Sequence, residues 1–145
     1  EIISPEQSYL ITSILNDVVT RGTGKAAQVP GIELAGKTGT TNNNVDAWFC
    51  GYSPSIQTLV WFGNDNNTPM KRTETGGKIA APVFGNFYKK YLELHPEIPR
   101  TFTMPQNVYT SNINGKTELF TDKSPLPEID ILVQPSSPGE EVLEF

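Results

Sequence analysis

Apolar positions along the chain fall into two helical stripes with a block of extended runs between them. In the first stripe Leu10, Ile11, Ile14, Leu15, Val18 and Val19 recur as adjacent pairs every four residues, which predicts one continuous apolar face on a helix. Its start is written in Ser4-Pro5-Glu6-Gln7: a serine to cap, a proline at the first helical position, and a glutamine completing the S-x-x-Q box. Arg21 supplies a cation near the last turn, and Gly22 is expected to stop the helix in a left-handed conformation. Gly22-Thr23-Gly24-Lys25 then reads as a flexible connector. The second stripe is Val83, Phe84, Phe87, Tyr88, Tyr91 and Leu92, with Pro82 near its start and His95-Pro96 at its end. Each helix must bury its stripe against something.

Between the stripes the period changes to that of strands. Ile32 and Leu34 alternate with Glu33 on the way into Lys37-Thr38-Gly39-Thr40, and Thr41-Asn42-Asn43-Asn44 is turn chemistry. Two aromatic and β-branched runs follow, Asp46 to Tyr52 and Thr58 to Gly63, broken by Ser53-Pro54-Ser55. Together these three segments predict an antiparallel meander. The last two runs are apolar almost continuously, so cover on both faces is expected. From Pro96 the composition shifts to Pro, Thr, Ser and Asn. Asn114-Gly115 marks a small hairpin, and Pro125, Pro127, Pro135, Ser136, Ser137 and Pro138 mark an extended tail beyond Thr121. Two parts result: residues 1–95, and residues 96–145 as the end of the domain plus a Pro/Ser-rich extension.

Charge and composition narrow the function classes. With 145 residues and a net charge of -5, the chain suits one domain or a piece of one, and no basic stripe offers a nucleic-acid surface. Cys50 is the only cysteine, so an internal disulfide cannot form. His95, the only histidine, reads as a helix cap; with no ligand-spaced cluster around it, no metal and no cofactor is expected. No apolar run approaches the ~20 residues that span a bilayer, so no membrane contact is expected from this segment. Without an initiating methionine, the chain reads as an excised piece whose targeting lies elsewhere.

The candidate chemistry lies in Gly31 to Asp46. Gly31-x4-Gly36-Lys37-Thr38 satisfies the phosphate-loop pattern, but that motif needs a buried strand before it and a helix after it. Val29-Pro30 precedes it and an asparagine-rich turn follows, so a nucleotide reading fails on context. The competing reading is a sheet-edge strand. With period two, Lys37 and Gly39 share one face while Thr38 and Thr40 share the other. Glycine there marks a close approach to the backbone. On these four residues alone, an ordinary edge strand carrying a protective lysine fits better than a site.

The wider pattern reverses that preference. Asn16-Asp17-Val18-Val19-Thr20-Arg21-Gly22-Thr23-Gly24, Leu34-Ala35-Gly36-Lys37-Thr38-Gly39-Thr40-Thr41-Asn42, Asp46-Ala47-Trp48-Phe49-Cys50-Gly51-Tyr52, Pro69-Met70 and Glu74-Thr75-Gly76-Gly77 occur in one order. The chain thereby resembles, over roughly residues 4 to 95, the C-terminal part of the transpeptidase domain of bifunctional penicillin-binding proteins. The resemblance implies a mixed α/β fold, β-lactamase/transpeptidase-like, with an antiparallel sheet of about five strands flanked by helices, of which only the C-terminal part is present. It implies cross-linking of peptidoglycan by serine acyl transfer between D-alanyl-D-alanine stem peptides, inhibited by β-lactams.

Of the three motifs such enzymes use, S-x-x-K, S-x-N and K-T-G, this sequence holds only the third. No serine has lysine three residues on, so there is no nucleophile in this chain, and alone it should be inactive. Residue by residue, the resemblance implies that Lys37 adds positive potential and joins proton transfer. Thr38 and Thr40 would hold the substrate carboxylate, and the Thr40 N–H would be one oxyanion donor. Gly39 would let the peptide approach, Thr41 would make a further contact, and Asp46 and Trp48 would be supporting structure. It further implies that the upstream half of the domain accompanies this piece as another chain or fragment. The parent would be membrane-anchored and periplasmic, with a glycosyltransferase as a further potential activity. A non-catalytic β-lactam sensor on the same scaffold is the alternative.

Overall fold

A computed structural model describes residues 2–127. The first helix, α1 (Pro5–Thr20), starts as its sequence dictates: the Ser4 side chain accepts the Gln7 amide while the Gln7 side chain accepts the Ser4 amide. Its end departs from expectation. Arg21 is the C-cap and pairs with Asp17 one turn back, which raises the guanidinium pKa. Gly22 is not left-handed; positive φ among glycines occurs at Gly31 and Gly115. Gly22 is needed for space instead, because a Cβ there would sit 2.8 Å from Val18 Cα and 3.0 Å from its carbonyl oxygen.

The meander forms in the expected order. Strands β1 (Ala35–Thr40), β2 (Asp46–Tyr52) and β3 (Gln57–Gly63) make an antiparallel sheet, β1-β2-β3, with Lys37 opposite Cys50, Gly39 opposite Trp48, and Trp48 opposite Trp61. The β1–β2 connection is a tight 3-10 turn, Asn42–Asn44, in which Asn43 and Asn44 take positive φ, the conformation asparagine tolerates best after glycine. Its Asn44 side chain donates to the Lys71 and Glu74 carbonyls at 2.6 and 3.2 Å, holding the 64–74 loop against the sheet.

The chain then makes one π turn, Gly76–Ala80, which runs straight into α2 (Ala81–Leu94). Sequence periodicity gave no sign of this turn. Its cause is local crowding: a Cβ on Gly76 would overlap the Trp48 carbonyl and lie 2.5 Å from the Gly39 carbonyl. Gly76 lets the turn rest directly on the β1–β2 backbone, and Gly77 lets it close on the Thr23 carbonyl. From there α2 lays Phe84 and Tyr88 over Phe49, with ring centroids 4.7 Å apart for Phe49–Phe84 and 4.6 Å for Phe84–Tyr88. All three are fully buried with Val19, Leu34, Ala80 and Ala81, and each large side chain contributes about 2–3 kcal/mol by leaving water. The Tyr88 hydroxyl donates to the Ile56 carbonyl at 2.7 Å, so its burial strands no polar atom.

The expected two-sided cover of the sheet is not found. One face of β2, carrying Ala47, Phe49 and Gly51, is buried; on the other face Leu59 and Trp61 of β3 remain 55% and 45% exposed, while Phe62, opposite Ala47 on the covered face, is 38% exposed near the strand end. The helical stripes are also half used: Ile11 and Ile14 on α1, and Val83 and Phe87 on α2, stay exposed. The runs are apolar throughout, but the described residues supply cover for only one side.

Residues after Leu94 return to the domain. The His95 amide caps α2 on the Tyr91 carbonyl, and its imidazole Nδ1 lies 3.4 Å from Glu97. Glu33 binds the backbone on both sides of Thr101: its amide donates to the Arg100 carbonyl at 2.8 Å, and its carboxylate accepts the Phe102 amide at 2.7 Å. Strands β4 (Tyr109–Ile113) and β5 (Lys116–Phe120) then form the predicted hairpin, with positive φ at both Asn114 and Gly115, the type I′ signature. Pro125 and Pro127 fall within the described residues. Pro135, Ser136, Ser137 and Pro138 lie outside them.

Candidate active-site wall

β1 is the edge strand on which the K-T-G-T segment lies, and the phase of its hydrogen bonding decides what it presents. The Thr41 amide donates to the Asp46 carbonyl at 3.0 Å, one register step beyond Thr40–Ala47. In an antiparallel pair, hydrogen-bonded and non-bonded positions alternate. Gly39 and Lys37 therefore face β2 with their peptide groups, whereas those of Thr38 and Thr40 point away from the sheet, to the open edge. The Leu34 carbonyl, in the same outward phase, is taken by the Asn16 side chain of α1 at 2.8 Å. Helix α1 thus covers the start of this edge and leaves Thr38–Thr40 uncovered.

The side chains divide as the period predicts. Thr38 and Thr40 lie on the same side as the π turn. The Thr38 hydroxyl is 2.8 Å from that of Thr23, and Thr40 Oγ1 accepts the Gly76 amide at 3.1 Å. Lys37 is on the other face; its ammonium bends back to the edge and donates to the Thr38 carbonyl at 2.9 Å. Lysine and threonines meet only at the strand edge. Gly39 shares the lysine face, where Trp48 occupies the space its side chain would take, at 3.3 Å from Cβ to Cβ.

Beside Thr38 and Thr40 opens a depression of about 560 Å³ lined by Thr23, Lys25, Ala26, Thr75, Gly77 and Lys78 together with the two threonines. Four of these residues are threonines and two are exposed lysines, and none of the lining residues is acidic. The segment Gly22 to Lys25, expected to be a flexible connector, is a wall of this groove. Gly24 is buried with its Cα against Val18 and Phe49, and Lys25–Ala27 forms a 3-10 turn. Packing overrides the glycine-rich composition. Lys25 and Lys78 were missed in the sequence, and no signal in it marks them, since each is a single lysine far in the chain from Lys37.

Thr41 is placed at the turn, not in the groove. Its Oγ1 accepts the Asp46 amide at 2.8 Å and donates to the Asp46 carboxylate at 3.3 Å. Asp46 also accepts the Trp61 indole N–H at 2.9 Å, and Trp61 lies against Trp48 with ring centroids 5.9 Å apart. This network pins the end of β1.

The edge strand bearing K-T-G-T thus sets two threonine side chains beside an open groove that Lys25 and Lys78 also line. Residues 1–89 match the penicillin binding protein transpeptidase domain, and the chain belongs to that family. It is 37% identical to penicillin-binding protein 1A of Neisseria meningitidis over 145 residues, covering 97% of this chain and 18% of that protein. To penicillin-binding protein 1B of Escherichia coli K12 it is 38% identical over 108 residues, covering 73% of this chain and 12% of the relative. The crystal structure of penicillin-binding protein 1A from Haemophilus influenzae superposes with a TM-score of 0.74 at 29% identity, over 85% of this chain and 21% of that one. The fold is accordingly mixed helix and antiparallel sheet of the β-lactamase/transpeptidase type, and the chain spans less than a fifth of the length of the curated relatives it matches.

Proposed function

We propose that this chain supplies the carboxylate- and oxyanion-binding wall of a serine D-alanyl-D-alanine transpeptidase that cross-links peptidoglycan. The observation that carries the reading is the outward phase of Thr38 and Thr40 on the bare edge of β1, with both hydroxyls on the groove side. A serine from an upstream S-x-x-K motif attacks the carbonyl of the penultimate D-alanine. The C–N bond to the last D-alanine breaks, that amine takes a proton and leaves, and an amine of a neighbouring stem peptide then displaces the serine. The Thr40 N–H stabilises the oxyanion with a second donor from the serine residue itself, each worth about 3 kcal/mol in the transition state. Thr38 and Thr40 hydroxyls hold the terminal carboxylate of the peptide or β-lactam. Lys37 approaches the serine from the opposite face of the strand, where its charge favours the deprotonated nucleophile. Thr41 acts through the turn that fixes Thr40, with Asp46 and Trp48 behind it.

The upstream half, holding S-x-x-K and S-x-N, completes the site as part of the same protein or as an accompanying fragment. The parent is anchored in the cytoplasmic membrane and works on its outer face. A glycosyltransferase domain in the parent would fit the same family.

Fluorescent penicillin is the direct test. The whole protein should label covalently on its upstream portion, and Thr40→Val, which keeps the N–H but removes the hydroxyl's hydrogen bond to the carboxylate, should slow labelling about 10–100-fold. Covalent labelling of residues 1–145 alone would contradict the missing nucleophile. Labelling of the whole protein with no release of D-alanine from a stem peptide would turn the reading towards a sensor.

A further inference from the structure

Lys37 has been expected to provide the positive potential for the substrate carboxylate, but its side chain lies on the face away from the Thr38 and Thr40 hydroxyls. The cations on the hydroxyl face are Lys25 and Lys78. They come from different elements, the 3-10 turn after α1 and the π turn before α2, and reach the same groove for separate packing reasons. Lys25 follows the buried Gly24. Lys78 follows Gly76 and Gly77, whose missing side chains let the π turn rest on Trp48, Gly39 and Thr23; a Cβ on Gly77 would lie 2.5 Å from the Thr23 carbonyl.

Neither lysine has an acidic partner among the described residues, where the ion pairs are Arg21–Asp17, Lys90–Glu93 and His95–Glu97. Two lysines without acidic partners and four threonines, with no acidic residue in the lining, give the groove the chemistry that suits an anion.

We propose that Lys25 and Lys78 are the specificity-determining residues that make the groove prefer an acyl donor with a free carboxylate. Lys37 acts separately, on the nucleophile. This inference rests on the acyl-transfer reading and divides its electrostatics between two faces of β1. The carboxylate adjoining the scissile amide enters the groove, takes hydrogen bonds from Thr38 and Thr40, and is drawn in by the two ammonium groups. No bond is made or broken at either lysine.

The test compares benzylpenicillin with its methyl ester, which lacks the charge, as acylating agents of the whole protein at low and high salt. In Lys25→Gln/Lys78→Gln the ratio of the two acylation rates should fall about three- to tenfold at low salt. The fall should shrink at high salt, as partly exposed charges are screened. Lys25→Arg/Lys78→Arg should restore the ratio, since charge rather than shape is at issue. Lys37→Gln should slow both compounds alike. A ratio unchanged in the double glutamine variant, or equal losses for acid and ester, would overturn the assignment while leaving the acyl-transfer reading intact. Absence of any covalent labelling of the parent protein would remove both.

Discussion

The two sides of the sheet differ more than their sequences do. On the groove side, Phe49 meets Phe84 and Tyr88, these three rings are fully buried, and the Tyr88 hydroxyl finds a partner; Phe62, opposite Ala47 near the strand end, stays partly exposed. On the other side Leu59 and Trp61 are as apolar as anything in the core, yet about half of each faces solvent. Helix α1 repeats the contrast, with Val19 buried and Ile14 66% exposed. Hydrophobicity fixes which residues seek cover, and only the partner surface decides which of them get it. The upstream half of the domain, as proposed above, would supply such cover.

Truncating the covered side should have the largest effect. Phe84→Ala removes a fully buried ring and is expected to cost about 3–5 kcal/mol in urea unfolding; a cost under 1 kcal/mol would show that the two sides are not different in kind. Gly76→Ala comes next, at about 2–3 kcal/mol, because the new methyl meets backbone carbonyls of β1 and β2 that cannot yield. That substitution should also slow penicillin labelling, since the π turn carries Lys78 and the amide that holds Thr40.

The bare side is predicted to respond only in context. Ile14→Ser should change the stability of residues 1–145 by no more than about 0.5 kcal/mol, but weaken the whole protein clearly more. Equal small effects in both would mean that α1 keeps its exposed face in the complete protein. The smallest effect concerns pH. The Ser4 hydrogen bond, with lesser help from the backbone and Asn107, holds the Glu6 carboxyl below its ordinary value. A lowered folded pKa means stability present above the unfolded carboxylate range and lost as pH falls through the folded value. Glu6→Gln should therefore flatten the acid limb of the stability curve slightly, with no change near neutrality.

Much of the scaffold is legible because it is local. Ser4 and Gln7 cap α1 by contacts within one turn, Asn114-Gly115 turns its own hairpin, and alternation alone puts Thr38 and Thr40 on one face with Lys37 on the other. The flexible reading of Gly22 to Lys25 failed because Gly24 is there for close approach to Phe49 and Val18, a contact invisible to composition. The π turn was missed for the same reason: what compels it is the backbone of Gly39 and Trp48, far away in the chain.

Alone, the sequence determined the two capped or striped helices, the order of the three-strand meander, the family through its K-T-G-T and D-A-W-F-x-G-Y segments, and the absence of an S-x-x-K segment from these 145 residues. All of these depend on short-range chemistry or on residue identity. Tertiary structure decided the outward hydrogen-bonding phase of Thr38 and Thr40, the bare face of β3, and the union of Lys25 and Lys78 with the threonine row. Those depend on which backbones approach closely enough to exclude a side chain, and that is settled only when distant segments pack.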